Sequence, residues 1–127
     1  MKVREIYENM LTLTLESTAE TEEYEGYIVP HFNLLLQELF THNNIARQRN
    51  KKEVLTQPPI IVDENEENPY EWQLNNAITY GLAGKMLTAG DQDLAATYMQ
   101  MYYAAINSAL KAQFEDVEDC YAAGSDY

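Results

Sequence analysis

The run Gly81-Leu82-Ala83-Gly84-Lys85-Met86 sets a lysine directly behind two glycines, the ingredients of a phosphate-binding loop. Such a loop needs four spacers between its glycines and a Ser or Thr after the lysine, because a nest of backbone amides wraps the phosphates and the hydroxyl holds magnesium. Here only Leu82 and Ala83 separate the glycines, and Met86 stands where the hydroxyl belongs. The segment also has the spacing of a helix interior, not of a strand-to-helix turn. The GxxG clamp of a KH domain fails as well, since its β-rich surroundings are missing. What remains is packing. Without a Cβ at Gly81 and Gly84 a second helix can approach closely, at a helix-propensity cost of up to about 1 kcal/mol each relative to Ala.

The other candidate chemistry is thinner. Asp63, Asn65 and Glu67 alternate as in a calcium loop, but Asn68 occupies the place of the turn glycine and Leu74 that of the bidentate glutamate. His31 and His42 have no cysteine pair beside them and match no zinc spacing. Cys120, the lone cysteine, lies near the end of the chain with no nucleophile turn around it. The many carboxylates read as a solvated face. No enzyme is therefore expected, with no catalytic, cofactor-binding or metal-binding residue.

The elements that would carry any site come next. A chain of 127 residues is one domain's worth and long enough to bury a core. The single cysteine suits a reducing compartment, and no secretory leader is expected. The most apolar run, Phe32 to Phe40, is short and broken by Gln37 and Glu38, which excludes a membrane span. With 21 acidic against 8 basic residues, a net charge of -13, the chain is poorly suited to wrapping duplex phosphates. Half of the basic residues gather at Arg47, Arg49, Lys51 and Lys52. Lacking interleaved aromatics, they favour a solvated loop or a protein contact over nucleic acid.

Val3, Ile6, Tyr7, Met10 and Leu11 form the stripe of a first amphipathic helix. Ser17, Thr18 and Thr21 are capping candidates for a second, expected from about Glu22, with a kink or a fresh start at Pro30 and helix onward to about Asn43. Residues 45 to 69 read as a long loop, basic, then proline-bearing, then acidic, in which Ile60, Ile61 and Val62 form a short strand or extended arm able to pair with a neighbour. Leu74, Ala77, Ile78, Leu82 and Met86 mark a third helix, and Gly90 with Asp91 a stop and a start before the fourth. The expectation is an all-α fold: a small four-helix bundle over residues 1 to 113, with the long loop or β-arm between helices 2 and 3, and an acidic C-terminal tail over residues 114 to 127.

The fourth helix is expected to turn Leu94, Tyr98, Met101, Tyr102, Ala105, Ile106 and Leu110 inward. Ala96, Met99 and Tyr103 then fall outside that face. So much apolar surface needs a second cover, either a partner subunit or the rest of the domain wrapped around a central helix. Met99 and Tyr103 are the candidates for a subunit interface, Arg47 and Arg49 for a loop contact. In the tail Phe114, Val117 and Tyr121 stand at helical spacing among acids, as in a segment that orders on a partner or simply frays.

Taken in order, "PHFNLLLQELFTHNN", the acidic "DENEENPY" and "AITYGLAGKMLTAGDQDLAATYMQMYYAAI" resemble the head-tail connector, or adaptor, proteins of tailed bacteriophages over residues 3 to 112. Pro30, Asn33, Leu34, Leu35, Glu38 and Leu39 are similar to that family's second-helix pattern. Tyr80, Gly81, Leu82 and Ala83, followed by Tyr98 and Tyr102 or Tyr103, are similar to its third and fourth helices. The resemblance implies a structural virion protein, made in the host bacterial cytoplasm, whose copies form a ring at the neck. Such a ring would dock on the portal protein, extend the channel through which genomic DNA passes without sequence-specific binding, and support the next neck or tail component. By position it assigns the loop to neighbour contacts and Phe114, Val117 and Tyr121 to portal docking. The alternative from another class is a helical regulatory domain that binds a single protein partner outside any virion.

Overall fold

The computed structural model describes the backbone of residues 1–14, 25–87 and 92–124, with side chains followed as far as residue 109. Within these residues the chain is helical and holds no strand: α1 is Val3–Thr14, α2 Ile28–Glu38, α3 Phe40–Arg49, α4 Asn75–Leu87 and α5 Gln92–Gly124, with a 3-10 turn at Trp72–Leu74 leading into α4. The expected second helix is thus two, broken at Leu39, whose backbone (φ -97°, ψ 7°) leaves the helical region. Pro30 lies in the first turn of α2, where its missing N–H would have had no helical acceptor in any case. The expected start at Glu22, the caps Ser17, Thr18 and Thr21, and the Gly90–Asp91 turn lie outside the described residues.

At the centre stands α4, packed against α1, α2 and α5. Its Ala77, Ile78, Leu82, Ala83 and Met86 are all buried, together with Ile6 and Tyr7 of α1, Phe32 and Leu35 of α2, and Tyr102 of α5. The two glycines explain how α5 comes so near. A Cβ on Gly81 would lie 2.6 Å from Leu35 Cδ2 and 3.1 Å from the Tyr102 ring, and one on Gly84 would meet the Met99 sulfur. As numbers rise along α4 from 81 to 84 they fall along α5 from 102 to 99, so the pair runs antiparallel.

Beyond the expected end of the second helix, α3 runs through Arg49, so Ile45 to Arg49 belong to a helix and not to the loop. It stops in a closed turn: the Lys51 N–H donates to the Gln48 carbonyl at 3.1 Å and the Lys52 N–H to the Arg47 carbonyl at 2.8 Å, with Lys51 in the left-handed region at φ 61°.

The loop that follows is held by asparagine side chains. Asn44 Nδ2 donates to the Leu55 carbonyl at 3.1 Å while its Oδ1 accepts the Leu55 N–H at 2.8 Å. Asn33 does the same to Ile61, at 3.0 and 2.8 Å. Ile60–Val62, expected as a short strand or an extended arm, therefore forms no strand, because a helix side chain already holds the N–H and C=O of Ile61 that a strand partner would use. Further on, carbonyls of the acidic stretch accept the free N–H groups at the start of α1, Val3 to Glu66 at 3.0 Å and Arg4 to Glu64 at 2.7 Å. Lys2 and Glu67 make an isolated antiparallel bridge. Arg4 ties this corner together through Glu64, Glu25 and Glu8 at 2.8, 3.2 and 3.2 Å.

Candidate interaction surface

Along α5 the buried line is Ala95, Tyr98, Tyr102 and Ile106. This is one residue out of phase with expectation at two places, since Leu94 and Met101, expected inside, are exposed. The smaller Ala95 lies in the seam. The proposed interface pair is split: Met99 packs against Gly84 and the core of its own chain, whereas Tyr103 remains 58% exposed, its ring 5.3 Å from that of Tyr102. So the described part of α5 is not wrapped on all sides: Leu94 and Met101 are exposed on one flank of its buried line and Tyr103 on the other.

The Met101 flank lines an open groove. It is lined by Met101, Ala104, Ala105, Ser108 and Ala109 of α5, by Asn76 and Tyr80 of α4, by Trp72 and Gln73 in the turn before α4, and by Arg49 and Asn50 at the end of α3. Trp72, in the turn before α4, is 72% exposed. On the arm, Ile60 and Val62 are 73% and 82% exposed on either side of the buried Ile61. Exposed apolar residues of this size, displayed on fixed backbone, mark contact sites more often than scattered surface does.

The basic cluster does structural work first. Glu71, at the base of the loop, is buried; it accepts from Asn50 Nδ2 at 2.8 Å and Lys52 Nζ at 2.9 Å, with Arg47 Nη1 at 3.7 Å. Burial pushes this carboxyl up, yet the hydrogen bonds from Asn50 and Lys52 and the charges of Lys52 and Arg47 hold it below the ordinary glutamate range. Its backbone N–H donates to Oδ1 of the fully buried Asn43 at 2.8 Å. Arg47, expected in a loop contact, is thus occupied at the end of a helix, where it also donates to the Glu53 carbonyl. Arg49 lines the groove.

The lysine of the phosphate-like run, Lys85, pairs with Glu38, which also accepts the hydroxyl of buried Tyr102 at 3.1 Å. Burial, then the Glu38 carboxylate, pushes the Tyr102 hydroxyl up. His31 is held below the ordinary histidine range by burial and then by Lys85. In the calcium-like stretch Asp63 caps Asn65 and Glu66 takes the N–H groups of Val62 and Asp63. Among the described residues no group of three His, Cys, Asp or Glu could hold a metal ion, and no helix is long and apolar enough to cross a membrane.

The backbone of α5 continues as helix through Phe114, Val117 and Tyr121 to Gly124, with no break at the expected start of the tail; those three side chains lie outside the described residues. Sequence reasoning missed Trp72 as a contact candidate and Glu71 as a buried anchor. The asparagines held the available signal: Asn33, Asn43 and Asn44 sit inside helices that their type disfavours, which points to work done by the side chain. No family model, no curated protein and no solved structure matches the chain.

Proposed function

We propose that this chain is a structural virion protein of a tailed bacteriophage, forming a ring at the head-tail junction that docks on the portal, extends the DNA channel and supports the next neck or tail component. The observation that carries the reading is the apolar surface left over on both flanks of α5's buried line: Leu94 and Met101 stand exposed on the flank that meets Trp72, and Tyr103 on the opposite flank, near His42. A subunit with this much fixed apolar surface associates through it, and contacts between unlike surfaces close into a ring when the rotation per copy is right. The net charge of -13 suits a channel wall, since DNA slides past like charge instead of adhering. Genomic DNA is then a passenger, and the portal and downstream neck protein are the partners.

The helix that continues to Gly124 would carry Phe114, Val117 and Tyr121 to the portal as one projecting element. Co-sedimentation with the portal ring of the phage that encodes the chain tests both parts. The full chain is expected to bind, and removal of residues 114–127 to abolish binding while most of the helical circular dichroism remains. Unchanged binding by the shortened chain would remove the docking role. A full chain that ignores the portal and binds some single soluble protein would replace the neck reading with that of a regulatory domain.

A further inference from the structure

We infer that the arm of one copy seats Ile60 and Val62 in the α5 groove of the next, joining copies head to tail. The inference rests on the ring reading and supplies its contact. Three observations lead to it.

The arm is built before any partner arrives. Ile60 and Val62 face water on either side of Ile61, which is 3% exposed and fixed by Asn33 through both its N–H and its C=O. Pro58 and Pro59 limit the approach to extended backbone, and the Glu66 carboxylate holds the Val62 and Asp63 N–H groups at 2.6 and 2.7 Å. Docking a segment already held in place loses little conformational entropy.

The groove offers what two β-branched side chains need. Ala104 and Ala105 leave room over α5, and Trp72, Tyr80 and Met101 supply apolar surface beside the polar Gln73, Asn76 and Ser108.

The charges beside the two surfaces are opposite. Asp63, Glu64, Glu66 and Glu67 follow Val62 in the chain, whereas Arg49 lines the groove and Lys51 and Lys52 follow Asn50 at the same end. In a chain of net charge -13, copies repel over most of their surface, whereas the end of α3 carries four basic residues, two of them, Arg47 and Lys52, facing the single buried carboxylate of Glu71, so that positive charge is left over there. An acidic arm is drawn there. Arm against arm would set acid on acid, so the arm meets the groove and not a second arm; where a copy gives its arm to one neighbour and its groove to another, the contact is heterologous.

Cross-linking with a short bis-maleimide tests this in the full-length Cys120→Ser chain. Val62→Cys and Ala104→Cys are placed on separate copies, the two proteins distinguished by a mass tag. Mixed together they are expected to give the tagged-to-untagged product as the main adduct, with little self-product from either alone. Adding Trp72→Ala to the Ala104→Cys copy, or Ile60→Asp to the Val62→Cys copy, is expected to remove it while circular dichroism stays unchanged. A mixture that gives no more product than either protein alone, or one in which Val62→Cys links chiefly to itself, overturns the inference. A chain that forms the mixed product yet ignores the portal keeps this contact and loses the neck reading; one that binds the portal without it does the reverse.

Discussion

Glu71 shows how single side chains set the shape of this surface. Its carboxylate is removed from water and survives because Asn50, Lys52 and Arg47 surround it, so the basic end of α3 is fastened to the foot of the loop one residue before Trp72. Removing the charge leaves the cations without their partner. Glu71→Gln is expected to lower stability at neutral pH by about 2 kcal/mol, measured by urea titration. The sign of the pH dependence follows from the lowered carboxyl. Its contribution is present above the ordinary value of 4.5 and lost as pH falls through the lower folded value, so the gap between wild type and Glu71→Gln should close on acidification. A gap that stays constant from neutral pH to well below 4.5 would show that this carboxylate is not the anchor. Two residues past the end of α3, Lys51 holds φ 61° without the freedom glycine would have there. Lys51→Gly relieves that conformation and is expected to raise stability by about 0.5 to 1 kcal/mol, seen as a higher thermal midpoint.

Between elements the decisive quantity is the distance between α4 and α5. At Gly81 the obstacle to a methyl group is Leu35 and the ring of Tyr102, both buried and hemmed in; at Gly84 it is the end of Met99, a flexible thioether that can turn away. Gly81→Ala is therefore expected to lose about 1 to 2 kcal/mol net, overpacking outweighing the gain in helix propensity, and Gly84→Ala clearly less. Equal losses in denaturant titrations would mean that the helices can move apart freely. The same comparison explains what could be read from the chain before its fold was known. The stripe Val3, Ile6, Tyr7, Met10 and Leu11 is buried in full because an amphipathic helix against a core leaves one choice of face. The packing role of Gly81 and Gly84 was legible for a similar reason, since their spacing failed every loop chemistry. By contrast α3 has no apolar stripe, burying only Asn43 and Ala46, so periodicity could not find it. The phase of α5 was hidden because Leu94, Ala95, Met99 and Met101 are all apolar, and which of them turns inward is settled by the room that Gly84 leaves on another helix. Of the candidate site, Tyr103 was legible as surplus surface. The groove was not, because Trp72 and Arg49 meet α5 only after the Asn50, Lys52 and Glu71 contacts close the loop.

At the scale of the molecule, the apolar residues of α5 divide into those that hold one copy together and those left over for another, and Met99 and Tyr103 fall on opposite sides of that division. Met99 fills the dent at Gly84 and touches the core; an aspartate there would be an unpaired charge facing apolar packing, with a destabilisation of about 2 to 4 kcal/mol. Tyr103 is 58% exposed, its ring set against that of Tyr102, so Tyr103→Asp is expected to change stability by no more than about 0.5 kcal/mol. If copies associate through the outer face of α5, the stable variant is the one that fails to assemble: Tyr103→Asp should remain folded and stay monomeric in light scattering and on a portal template where the wild type forms rings. Met99→Asp should fail earlier, by unfolding. The template matters, because a ring subunit can remain monomeric until the surface it assembles on is present. Tyr103→Asp rings indistinguishable from wild type on that template would mean that the Tyr103 flank of α5 touches no neighbour, and the contact between copies would be left to the arm and the groove on the opposite, Met101 flank.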